Sequence, residues 1–193
     1  MEQELSARGE VIMAGLGGSG ILTAGLLLAS AAMTKYKNVT WFPSYAISKR
    51  GGLVECTVIY SDEEITSPLL SQAAVVIIAE ATQFKDFESR VRPGGTMIIE
   101  SAGFQAGSKK EGIPVIKVPA IETSIHITGT SQGANLVLLG VFVEATHTIP
   151  AELIQSELEK SFADKEETLK KNLRAFEEGR NMVTELIKYH LSI

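Results

Sequence analysis

The sequence is poor in cysteine, and Cys56 is its only thiol. A single cysteine cannot form an internal disulfide, and it cannot hold a zinc ion or an iron–sulfur cluster without other ligands. The three histidines, His126, His147 and His190, are scattered, with no carboxylate or cysteine at ligand spacing. We therefore expect no metal site on this chain, and we expect the cytoplasm as its compartment.

The sequence also lacks an apolar run long enough to cross a bilayer. Its longest apolar segments, Ile21–Met33 and Leu136–Val143, fall short of the roughly 20 residues that a membrane helix needs. The first ten residues, MEQELSARGE, are polar and acidic, unlike a signal peptide. The net charge is −5 with both signs mixed, which argues against nucleic acid or an anionic membrane as the main partner.

No repeat, low-complexity run or linker interrupts the 193 residues, which suit a single domain. Ala73–Ala79 is apolar on both faces, as is typical of a parallel strand covered on both sides. Further strands are predicted at Val11–Ala14, Val39–Phe42 (ended by Pro43), Leu53–Tyr60, Thr96–Glu100 and Val115–Val118. Helices are predicted at Ile21–Met33, at Phe84–Val91 (closed by a turn, Arg92-Pro93-Gly94-Gly95) and in the apolar part of Gly129–Thr146, followed by a C-terminal helical hairpin. This pattern predicts an α/β fold: a Rossmann-like three-layer domain with a mostly parallel sheet.

Glycines are concentrated in one loop, between the first strand and the first helix. The run Gly15-Leu16-Gly17-Gly18-Ser19-Gly20 fits G-x-G-x-x-G, in which backbone N–H groups and a helix N-terminus receive phosphate. A dinucleotide site also needs an acidic residue about 20 positions on, and residues 38–46 contain no Asp or Glu. NAD or FAD binding is therefore disfavoured. Two interpretations stay open, contact with a phosphate and tight strand–helix packing without a ligand.

A second loop ends in two cations, Lys49 and Arg50, which Gly51 and Gly52 follow. Arginine on a segment that exposes its backbone suits a phosphate or a carboxylate. A solvated charge is the usual alternative for a lone cation. Two adjacent cations beside two glycines make an anion site an equally good hypothesis.

The remaining polar residues offer no complete catalytic set. Glu80 and Glu100 follow predicted strands, where α/β proteins place their ligands, but they form no defined acid–base pair. Asn135 belongs to a polar cluster that either caps a helix or contacts a ligand. The other members of this cluster are Thr128, Thr130, Ser131 and Gln132. Cys56, in the middle of a strand, is interpreted as a small core residue.

These observations favour a subunit over a complete enzyme. No catalytic residue is assigned, and the helices that are apolar all round suggest burial against partners. We expect the isolated chain to pair with itself, because buried helices without their partners often do so. A free-standing nucleotide- or coenzyme-binding module, and a scaffold whose loops only pack, are the alternative hypotheses.

Nearly the whole chain resembles the gamma subunit, or gamma domain, of the 2-oxoacid:ferredoxin (acceptor) oxidoreductases. The order and spacing of several short motifs carry this resemblance, which is nearest to the 2-oxoglutarate-type or unassigned ketoacid branch. The motifs are Gly15–Ile21, Ser44-Tyr45 with Arg50-Gly51-Gly52, Ser61–Ile65 with Ser67-Pro68, Arg92–Gly95, Asn135 with Leu139-Gly140, and Asn172 with Ala175–Gly179. The chain departs from the family pattern at Ser19, where Gln is usual, and at Ala46 and Ser48, where Gly and Glu are usual.

The resemblance implies a multi-subunit enzyme that oxidatively decarboxylates a 2-oxoacid, forms an acyl-coenzyme A and passes electrons to ferredoxin. It implies that thiamine diphosphate is held by alpha and beta subunits, and iron–sulfur clusters by a delta-type subunit or elsewhere, so that this chain alone binds no cofactor. A gamma subunit of this kind is inactive alone and is associated with the approach of coenzyme A. The glycine loop, Lys49–Gly52 and Asn135 are then the residues expected to bind coenzyme A.

Overall fold

The computed structural model describes residues 8–45, 52–104 and 113–190, and within them six strands form one sheet. The strands are β1 (Arg8–Leu16), β2 (Asn38–Tyr45), β3 (Leu53–Ser61), β4 (Ala73–Ile78), β5 (Val91–Glu100) and β6 (Val115–Val118). Their order across the sheet is β2-β3-β1-β4-β5-β6. All six lie close to the predicted segments, because each has the apolar pattern of a buried or half-buried strand.

The sheet is mostly parallel, as predicted. Strands β1, β4, β5 and β6 are parallel to one another, whereas β3 runs antiparallel to both β1 and β2. Only β3 therefore opposes the common direction. From β1 the chain continues towards one edge of the sheet, and from β4 it continues towards the other. The gap between the ends of β1 and β4 is thus a topological switch point, where α/β folds bind their ligands.

Helices cover both faces of the sheet and complete the three predicted layers. They are α1 (Ile21–Ala32), α2 (Phe84–Phe87), α3 (Ala120–Thr128), α4 (Ala134–Thr146), α5 (Ala151–Ser161) and α6 (Glu166–His190). One core joins α1 and α4 to β1 and β3 through Met13 and Cys56. On the opposite face, Phe84 and Phe87 of α2 pack against Ile12.

Strand β2 continues through Pro43, so the prediction that Pro43 ends this strand is wrong. Pro43 stands opposite Cys56, and the pairing extends to Tyr45 opposite Val54. Among the strands of the described residues, β2 lies at the edge of the sheet and pairs only with β3. An edge strand tolerates proline because its outer side needs no backbone donor.

The chain after β4 also differs from its prediction. The helix predicted over Phe84–Val91 is a single turn between two short 3-10 segments, and Val91 begins β5. The predicted turn Arg92–Gly95 is a bulge inside β5, because Ala73 pairs with Val91 while Val75 pairs with Thr96. Val91 is fully buried as a strand residue, so the chain leaves the helix before this position.

Helix α4 is covered within the chain. Its residues Ala134–Val143 are buried, and α6 packs directly on its backbone. A Cβ added at Gly140 would overlap the carbonyl oxygen of Phe176, and one added at Gly179 would overlap that of Val137. The apolar sequence of α4 is thus explained without a partner, so this helix gives no argument for self-pairing. The C-terminal helices are present as predicted, and the amide of Gln155 on α5 donates to Glu177 on α6 (2.7 Å).

Candidate functional site

The glycine loop joins β1 to α1 as predicted, and its glycines have different roles. An added Cβ at Gly15 would lie 2.7 Å from Ser19 Oγ and 3.2 Å from Ala79 Cβ. At Gly20, which has φ of 74°, it would lie 2.8 Å from Asn135 Nδ2. Close neighbours at Gly15, and a positive φ with a close neighbour at Gly20, therefore favour glycine at these positions without any ligand. Gly18 has φ of 99° and open space around its missing side chain, so its backbone is accessible.

The second loop is tied to the glycine loop. The backbone N–H of Gly17 donates to the carbonyl oxygen of Gly52 over 2.9 Å. This bond extends the pairing of β1 with β3, in which Leu16 stands opposite Leu53. Lys49, Arg50 and Gly51 lie outside the described residues, so of this loop only Gly52 is placed beside Gly17.

Asn135 connects the glycine loop to α4. Its Nδ2 donates to the carbonyl oxygen of Gly20 over 2.9 Å, and the residue is 5% exposed. Its Oδ1 and the Oγ of Ser19 are buried and have no hydrogen-bond partner in the described part of the chain. Buried polar atoms are normally paired, and unpaired ones often mark a site for water or a ligand. Two such atoms flank Gly20.

Some residues of the polar cluster before α4 form capping hydrogen bonds, and others line a cavity. The Thr130 side chain accepts from the Gln132 N–H (3.4 Å), and Ser124 Oγ accepts from the Gly133 N–H (2.9 Å), as the capping interpretation predicts. Gln132 itself lines a cavity beside the glycine loop.

The loop borders two cavities that meet at Gly18 and Gln132. The switch-point crevice, about 240 Å³, lies at the ends of β1 and β4 and is lined by Leu16, Ser19, Ala79, Glu80 and Ile121 among others. The α1–α4–α6 cleft, about 280 Å³, is lined by Thr23, Leu27, Asn135, Phe162, Thr168 and Asn172 among others. Residues about 150 positions apart in the sequence thus surround one loop.

The two candidate carboxylates, Glu80 and Glu100, have different environments in the structure. Glu100 is 2% exposed and accepts backbone N–H bonds from Ala102 (2.7 Å) and Ile121 (2.8 Å). It therefore anchors the first turn of α3, a helix that the sequence analysis missed. Glu80 lines the switch-point crevice and accepts from Thr82 Oγ1 (3.2 Å), so it remains the acidic group beside the glycine loop.

The prediction that Cys56 is a core residue is confirmed. The residue is fully buried, and burial raises the pKa of its thiol to about 12. A buried thiol with a raised pKa stays protonated at neutral pH, as is typical of a structural cysteine. The described residues contain no group of His, Cys, Asp and Glu suited to a metal ion. None of the described helices is long and apolar enough to cross a membrane.

A glycine loop and a helix N-terminus at the switch point of a mostly parallel sheet define a Rossmann-like α/β domain, a class whose members bind their ligands at the strand ends. The chain belongs to the pyruvate ferredoxin/flavodoxin oxidoreductase family, whose model matches residues 10–182. This confirms the family that the sequence motifs indicated.

Two groups of curated relatives match the chain. Ketoisovalerate oxidoreductase subunit VorA of Methanothermobacter thermautotrophicus is 33% identical over 184 residues, which are 94% of this chain and 38% of that protein. 2-Oxoglutarate synthase subunit KorC of Methanothermobacter marburgensis is 28% identical over 92% of this chain and 98% of its own length. The chain thus spans less than two fifths of VorA but nearly all of KorC.

Solved structures share the fold. A 2-oxoglutarate:ferredoxin oxidoreductase from Magnetococcus marinus, with 2-oxoglutarate, coenzyme A and succinyl-CoA bound, matches with a TM-score of 0.84 at 23% identity over 92% of this chain and 31% of its own. The keto/oxoacid ferredoxin oxidoreductase gamma subunit from Geobacter sulfurreducens matches with a TM-score of 0.73 at 23% identity, over 89% of this chain and 95% of its own. The predicted fold class is confirmed.

Proposed function

We propose that this chain is the gamma-type subunit of a multi-subunit 2-oxoacid:ferredoxin oxidoreductase. The enzyme converts a 2-oxoacid and coenzyme A to an acyl-coenzyme A and passes electrons to ferredoxin. The subunit is inactive alone, and it assists the approach of coenzyme A and the assembly of the complex. Its partners are alpha and beta subunits and a ferredoxin-like delta subunit.

The hydrogen bond between Gly17 N–H and the Gly52 carbonyl carries this proposal. It places Gly52 beside the glycine loop, where the backbone of Gly18 is accessible. In the sequence, Lys49 and Arg50 precede Gly52 by three and two residues. Helix N-termini and arginine both favour phosphate. Coenzyme A carries several phosphates, so the pair of loops suits its anionic end. The full-length match to KorC supports the separate-subunit arrangement.

The other cofactors of such an enzyme do not fit this chain. An iron–sulfur cluster needs several thiolates, and the one thiol present, Cys56, lies inside the sheet core with a raised pKa. We therefore assign the clusters to partner subunits, and the family resemblance assigns thiamine diphosphate to the alpha and beta subunits. We assign to this chain the contacts with phosphate, through the accessible backbone of Gly18 and the cations of the second loop.

The proposal is tested by Arg50→Ala in the assembled complex. We expect the apparent KM for coenzyme A to rise about tenfold, because a charge-assisted phosphate contact contributes about 1.5–3 kcal/mol. The KM for the 2-oxoacid should not change. Lys85→Ala removes an exposed cation on α2, far along the chain from both loops, and is the matched control.

An unchanged KM for coenzyme A in Arg50→Ala would refute the role of this loop. A second measurement tests the assignment as a subunit. The purified chain should have no oxidoreductase activity, and adding it to the other subunits should restore or increase theirs. Tight binding of NAD by the isolated chain would instead support a free-standing nucleotide-binding module.

A further inference from the structure

The α1–α4–α6 cleft lies next to the proposed phosphate site, but the binding of phosphate does not account for this cleft. It begins at Gly18 and Gly20 of the glycine loop and runs along α1, α4 and the first two turns of α6. Its volume of about 280 Å³ is at the lower limit of small-molecule sites, which suits one portion of a larger ligand.

The lining of the cleft is uncharged. None of the described residues that border it is Asp, Glu, Lys, Arg or His. Its polar groups are the amides of Gln132, Asn135 and Asn172 and the hydroxyls of Thr23 and Thr168, and its apolar floor is Leu27, Leu136 and Phe162. Such a surface does not compensate a charge, but it can bind a group that has both apolar carbon and neutral hydrogen-bonding atoms.

Asn135 adds an independent sign of a ligand. Its side chain is 5% exposed and borders the cleft, and its Oδ1 accepts no hydrogen bond from the residues described. Leaving a buried acceptor unpaired costs about 1–3 kcal/mol. Oδ1 can only accept, so the group that satisfies it must bring an N–H or an O–H donor.

We propose that the α1–α4–α6 cleft is a second subsite, which binds an uncharged portion of the ligand that bears amide or hydroxyl groups. The inference rests on the proposed function in one respect, namely that the anionic end of the same ligand lies at the glycine loop. For coenzyme A, the uncharged portion is its pantetheine arm and the charged portion is its adenosine 3′,5′-bisphosphate end. Asn172 lines this cleft and would then bind the uncharged portion of the ligand. In the sequence, only the family resemblance singles it out.

The test uses the isotopically labelled full chain and two probes, pantetheine and adenosine 3′,5′-bisphosphate. Titration of pantetheine should shift the amide resonances of residues along the cleft, such as Thr23, Gln132 and Asn172. Thr168→Trp fills the cleft from an exposed position of α6 and should weaken pantetheine binding at least about tenfold, or about 1.4 kcal/mol. It should change the affinity for adenosine 3′,5′-bisphosphate less than about twofold.

The matched control is Asn181→Trp, an equally large change at an exposed position on the same helix that borders neither cavity. Pantetheine binding that is absent, or is the same in Thr168→Trp and Asn181→Trp, overturns the inference. An equal loss of both probes in Thr168→Trp also overturns it, because the charged end would then occupy the cleft.

The two proposals can fail separately. If pantetheine binds in the cleft while coenzyme A binds no more tightly than pantetheine, the phosphate site at the glycine loop is wrong and the subsite stands. If coenzyme A binds tightly and Thr168→Trp has no effect on it, the subsite is wrong and the proposed function stands.

Discussion

The side-chain amide of Asn135 donates to the carbonyl oxygen of Gly20 over 2.9 Å and joins α4 to the glycine loop across 115 positions of sequence. The same carbonyl accepts from the N–H of Ala24 (3.0 Å), the first hydrogen bond of α1. The two helices that begin at the site are therefore held together at one backbone oxygen. The side chain of Asn135 thus adds a polar connection between their N-termini to the apolar packing of the two helices.

Asn135→Ala removes this connection and should lower the free energy of unfolding by about 1 kcal/mol, the usual net value of a hydrogen bond. The loss is limited because Ala24 still pairs with Gly20 and because the unpaired Oδ1 is removed as well. Urea denaturation measures the change. Asn181→Ala, at an exposed position, should stay within about 0.5 kcal/mol of the parent. Equal stabilities of the two variants would contradict the prediction.

Gly179→Ala tests the close packing of α6 on α4. An added methyl group would overlap the carbonyl oxygen of Val137, which is backbone and cannot rotate away. Such overpacking costs about 1–3 kcal/mol or more, and we expect about 3 kcal/mol because the two helices must separate. Alanine otherwise favours a helix over glycine by about 1 kcal/mol. An increase in the urea midpoint would therefore show that the helices are not in backbone contact.

Burial of Cys56 gives stability a specific dependence on pH. Its pKa is raised from 9.0 to about 12 in the folded chain, mainly by burial. The neutral thiol is then favoured by folding, so this contribution is complete below pH 9 and is lost as pH rises from 9 towards 12. Between pH 8 and pH 10 the loss is about 1 kcal/mol.

Urea denaturation at pH 8 and at pH 10 measures this loss, with Cys56→Ala as the control. The variant should lose less stability over that interval than the parent, because its core has no thiol to ionise. Tyr60, whose pKa burial also raises, contributes alkaline sensitivity to both proteins equally. A thiol reagent at pH 8 should modify Cys56 only after unfolding. Rapid modification of the folded parent would contradict the buried position.

Local patterns were sufficient to predict the sheet, because each strand carries its own apolar signature. They failed where the outcome depended on a neighbour. Pro43 remains in a strand because β2 happens to be an edge, and the chain at Arg92–Gly95 stays in β5 because Val91 pairs with Ala73. Helix α3 was missed because its amphipathic pattern is weak and the carboxylate that anchors it, Glu100, precedes it by about 20 residues.

The candidate site was predicted only in part, since a glycine motif does not show what each glycine does. Gly15 and Gly20 have side chains of other residues close to them, whereas Gly18 has open space around it. The contribution of α6 was not foreseen as a site, because nothing in the sequence near Asn172 indicates that its helix returns to the first loop. Convergence of distant segments is a property of tertiary packing alone.

Ser19→Ala links stability to binding at the glycine loop. Ser19 Oγ is buried without a partner in the part of the chain that the structure describes, so its removal should leave the unfolding free energy unchanged or raise it by up to about 1 kcal/mol. If that hydroxyl donates to a phosphate when the ligand binds, the same variant should raise the apparent KM for coenzyme A in the assembled complex about threefold to tenfold. Urea denaturation and steady-state kinetics measure the two effects, with Ser30→Ala on α1 as the control. A destabilised variant with an unchanged KM would show that Ser19 serves only the packing of the loop.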